Sequence, residues 1–114
     1  MSLDYARDHL AGAVRTLATR DDPLAERLQT AWDEYTQMLW MKPCLTADLL
    51  RDFRDMWWRY TASSDDRHGT TLRELSHDEL VSAVDDLVSL LVRTAVAAAR
   101  ADEDEHLATL ADLA

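Results

Sequence analysis

"SHDELVSAVDDLVSLLVRTAVAAA", residues Ser76 to Ala99, is the stretch on which the fold turns. Ser76 followed three residues later by Glu79 is a capping box, in which hydroxyl and carboxylate each satisfy an amide donor that a helix start leaves unpaired. Beyond it Leu80, Val81, Val84, Leu87, Val88, Leu91, Val92, Ala95 and Ala99 recur at helical spacing. At about 100° per residue they spread over more than half the helix circumference. Such a width predicts a central helix, touched by several others.

Toward the C-terminus the string "DEDE" follows, and Leu107, Leu110 and Leu113 fall off the earlier stripe. The helix therefore either bends or gives way to a short fifth helix, and acidic residues in a first turn favour the second outcome through the helix dipole. The boundaries predicted here are 77–101 and 103–113.

Toward the N-terminus three more helices are legible. Ser2 caps a helix over 3–19 with Leu3, Ala6, Leu10, Ala13, Val14 and Leu17 on one face. "DDPL" places Asp22 as cap and Pro23 at the first position of a helix over 23–41, whose stripe is Leu24, Leu28, Ala31, Trp32, Tyr35 and Leu39. Pro43 ends it, since its ring disfavours helical geometry at Lys42. Thr46 caps a helix over 47–61 with Leu49, Leu50, Phe53, Met56, Trp57 and Tyr60 inward. "ASSDDRHGTT" has no periodicity and makes 62–75 the one long loop. The expected architecture is all-α, a single domain over 1–114 forming an antiparallel bundle of four to five helices, and dimeric.

Composition agrees. The 114 residues include only two glycines and two prolines, too few chain-breakers for the many turns of an all-β fold. A net charge of −10, with Lys42 the only lysine, disfavours nucleic acid as a partner, because phosphate binding requires clustered cations. No apolar run approaches the roughly 18 residues that span a bilayer. Cys44 stands alone, which rules out an intramolecular disulfide and fits a reducing, cytoplasmic setting. The lack of Ile and Asn, with Arg in place of Lys, matches a GC-rich bacterial or phage source.

Signals for chemistry are sparse. There is no Gly-rich phosphate loop and no nucleophile elbow. Cys44 has no histidine or second cysteine beside it, and His9, His68 and His77 are scattered. "RADEDEHLATL" resembles the E-x-x-H element of ferritin-like di-iron carboxylate proteins, including encapsulated forms that complete their metal site across a subunit interface. The resemblance implies Glu103 and His106 as metal ligands. A full site needs further inward glutamates, and Glu26, Glu34, Glu74 and Glu79 stand outside the core stripes. Arg100 with His106 also resembles the arginine and histidine spacing of helical ribonucleases of the HEPN type, yet four acids lie between the two. No cofactor is expected.

What remains asks for a partner. Adjacent tryptophans in "FRDMWWRY" cannot share one helix face: Trp57 falls near the centre of the apolar arc and Trp58 about 140° from it. Trp57 is predicted buried. Trp58 is predicted outward, beside Arg54 and Asp55. "MLWMKP" surrounds the end of the second helix with apolar side chains and sets Trp40 as far off its stripe. Trp40, Met41, Arg51, Arg54, Asp55 and Trp58 are therefore the interface candidates, and Asp102, Glu103, Asp104 and Glu105 form an acidic patch. The expected function is a non-enzymatic acidic module for protein–protein interaction, of inhibitor, immunity-type or accessory-subunit kind, self-associating through its last two helices. The alternatives are the metal site at Glu103 and His106, or a small ligand in a groove lined by Trp32, Tyr35, Trp40 and Trp57.

Overall fold

The computed structural model describes residues 3–41, 44–61 and 75–113. Ser2, Lys42, Pro43 and residues 62–74 of the expected loop lie outside them. The described residues are all-helical and contain no strand. Helix α1 is Leu3–Thr19. Helix α2 runs Leu24–Ala31, passes through a π-helical turn at Trp32–Thr36 and closes with Gln37–Met41. Helix α3 is Ala47–Thr61, and α4 is His77–Leu113.

The caps follow the sequence at two of the three described starts. The Thr46 hydroxyl accepts the Leu49 amide at 3.4 Å. Ser76 and Glu79 form the reciprocal capping box, at 3.2 Å from the Glu79 amide to the serine hydroxyl and 3.1 Å from the Ser76 amide to the carboxylate. At α2 the expected cap is displaced by one residue. Pro23 has an extended ψ of 150° and is itself the cap, with no side-chain cap bond. Its carbonyl accepts the Glu26 and Arg27 amides, both at 3.0 Å. Asp22 accepts from Arg20 instead, at 2.7 Å. Arg27 reaches back over this turn and donates to the carbonyls of Leu17 (2.6 Å) and Asp22 (2.8 Å), satisfying an acceptor that the end of α1 leaves open.

One cluster joins buried residues of all four helices, among them Leu10, Leu28, Leu39, Phe53 and Leu87. Trp32 and Trp57 sit within it with ring centroids 4.3 Å apart, and Phe53 lies 6.2 Å from the first and 6.4 Å from the second. Where α1 meets α2, Gly12 makes room for Tyr35: a methyl group there would come within 2.6 Å of the tyrosine ring carbon Cδ1.

The π turn in α2 had no counterpart in the sequence reading. The Gln37 amide donates to the Trp32 carbonyl five residues back, and the Gln37 side chain donates to the Asp33 carbonyl at 2.9 Å. The widened turn inserts one residue and shifts the helix phase. Trp32, Thr36 and Leu39, in the turn and beyond it, are all buried.

Helix α4 touches α1 most extensively, then α3, then α2, as its apolar width predicts. The face it turns inward differs from expectation. Its buried seam is Leu80, Ala83, Leu87, Leu90, Thr94 and Ala98. Val81, Val88, Val92 and Ala99, expected inside, are exposed. Size explains the difference. A wheel weighted by hydrophobicity favours valine over alanine and threonine, whereas close approach of two helices favours small side chains at the contact. The buried residues of α1, the helix that α4 touches most extensively, include Ala6, Ala13 and Thr16, and those of α4 include Ala83, Thr94 and Ala98.

A separate fifth helix is not formed. α4 continues unbroken through 102–105 to Leu113, 37 residues in all. Alanine, leucine and arginine are strong helix formers, and no glycine or proline occurs between His77 and Leu113 to end the run. At about 1.5 Å per residue its length is roughly 55 Å, which accounts for the long dimension of a molecule measuring 59 × 28 × 21 Å. Residues 101–113 are all exposed and form an arm.

Candidate functional site

Three surfaces hold the residues that could act on something else. The first is the outer face of α3. Trp57 is 2% exposed and Trp58 48%, so the adjacent tryptophans divide between core and surface as the spacing predicts. Arg51, Arg54 and Asp55 are exposed on the same helix. Arg51 makes ion pairs along the helix with Asp48 and Asp52, both at 3.6 Å. Trp40 and Met41 belong to the last turn of α2, but their side chains lie outside the described residues.

The second is the polar seam between α3 and α4, a groove of 220 Å³. Arg93 of α4 donates to Asp52 of α3 at 2.7 Å. Asp86 accepts from the Tyr60 hydroxyl at 2.8 Å and from Arg59 at 3.4 Å. The hydrogen bond from Arg93 holds the Asp52 carboxyl below the usual carboxylate range, against some desolvation. Burial, reinforced by the neighbouring Asp86, pushes the Tyr60 hydroxyl up from its ordinary value. The pairs Arg93–Asp52 and Arg59–Asp86 strap α3 to α4.

The third is the outside of α4. Eight large apolar side chains are exposed among the described residues, and seven of them are on this helix: Val81, Val88, Val92, Val96, Leu107, Leu110 and Leu113. At about 100° per residue they form one line lying roughly 160° around the helix from the buried seam. The helix is apolar on two opposite sides. Beside the line, against the start of α3, runs a groove of 440 Å³ with Leu49, Val92, Val96 and Ala97 in its wall and Arg93 and Arg100 at its edge. The sequence did carry this signal, in the excess width of the apolar arc. Spacing alone gives that width to the interior, because nothing in the sequence says how many neighbours a helix has.

The remaining predicted residues do not converge. Asp102, Glu103, Asp104, Glu105 and His106 are exposed on the arm. Among the described residues no three His, Cys, Asp or Glu side chains come together as a metal site. Arg100 and His106 are likewise exposed on one helix, with the acids between them. Trp32 and Trp57 fill the space between α2 and α3 as core, where the sequence suggested a ligand groove. Cys44 is buried. None of the described helices is long and apolar enough to cross a membrane.

Among the described residues the fold is all-α, four helices, with the exposed large apolar side chains concentrated on one long helix. Compared with models of protein families, with curated proteins and with solved structures, the chain gave no match.

Proposed function

We propose that this chain works by binding another protein, as a non-enzymatic acidic helical module, with the outer line of α4 as its principal docking face. The observation that carries this reading is that line. It is apolar, it lies opposite the seam that builds the core, and it continues along an arm whose residues 101–113 are all exposed. Isolated helices of about 12 residues are marginal in water, so an apolar arm gains stability when something covers it. Contiguous exposed apolar surface of this kind marks an interaction site.

Trp58, rimmed by Arg51, Arg54 and Asp55, is a second anchor, and Trp40 and Met41 are assigned to it from the sequence. Tryptophan and arginine are the residues most enriched among interface hot spots. The carboxylates of 102–105 supply charge complementarity, which governs partner choice and association rate more than affinity. Inhibitor, immunity-type and accessory-subunit roles in the cytoplasm all fit this mode of action, as does a homodimer within an antiparallel bundle assembly.

Affinity capture from the source cells tests the reading, with wild type run beside Val92→Glu/Leu107→Glu and beside Trp58→Ala. The expected result is loss of specific partners with the double variant and weaker retrieval with Trp58→Ala. Identical retrieval by all three proteins would refute the docking face.

A further inference from the structure

We draw no further inference here: the strongest candidate, the outer apolar surface patch of α4 from Val81 to Leu113, carries nothing beyond the docking face already proposed, because nothing in the structure shows what covers it.

Discussion

The inward and outward sides of α4 are built from the same kinds of residue and meet different fates. Inside are Leu80, Leu87 and Leu90 with alanines and a threonine between them; outside are four valines and, further on, three leucines. Apolar character alone does not decide burial. The inner seam is buried because α1 and α3 present small and aromatic faces that reach it, and the outer line stays exposed because no other part of the described chain covers it. A helix apolar on one side belongs to one core, and a helix apolar on two opposite sides has a second contact to make.

The largest effect that could break this comparison comes from making one chemical change on both sides. Leu87→Ala removes a fully buried side chain from the inner seam and should cost about 2–5 kcal/mol, read as a lower urea midpoint. Leu110→Ala on the arm should leave the midpoint within about 0.5 kcal/mol at protein concentrations where the chain is single. Comparable losses at the two positions would mean that the arm is part of the core.

How much of this was legible can be argued residue by residue. Thr46 and the Ser76/Glu79 box announced their helix starts because capping needs only local chain and a hydroxyl. Trp57 and Trp58 separated correctly because the apolar face of α3 is narrow and its centre unambiguous. On α4 the arc was too broad to have one centre, and hydrophobicity favoured Val81, Val88 and Val92 over Ala83, Thr94 and Ala98. The choice between them is made by the shape of α1, which lies about 70 residues away in the chain. The π turn was invisible because "WDEYT" has no local signature that separates it from ordinary α-helix. At 102–105 the acids suggested a new helix start, but unbroken helix-forming sequence on both sides carried α4 through. Of the predicted site residues, Trp58 and its charged neighbours lie on a surface, whereas the α4 valines read as core in the sequence because helical spacing does not distinguish one wide apolar face from two opposite ones.

A subtler effect sharpens the contrast. Thr94 is fully buried in the inner seam and its hydroxyl has no hydrogen-bond partner. Thr94→Val replaces that hydroxyl with a methyl group of similar shape and should stabilise the fold by about 1 kcal/mol in the same unfolding assay. Destabilisation would show that the hydroxyl is satisfied in solution.

The smallest effect concerns the polar strap beside the seam. The Asp52 carboxyl lies below its unfolded value of about 3.9 because Arg93 donates to it, so its contribution is complete above that value and is lost as pH falls through the lower folded value. Both side chains are partly exposed, so the pair is worth roughly 0.2–1 kcal/mol. Arg93→Ala should flatten the stability profile by that amount at acid pH. An unchanged profile would remove Asp52–Arg93 from the interactions that hold α3 on α4.

The claim that one helix serves an inner and an outer contact is tested most directly by amide hydrogen exchange along α4, in the chain alone and with a captured partner bound. Amides from Leu80 to Ala98 should be protected in both states, reflecting the core. Amides of residues 101–113 should exchange rapidly in the chain alone and gain protection when the partner binds. Rapid exchange of the arm in both states would contradict the account, and so would protection already complete in the chain alone.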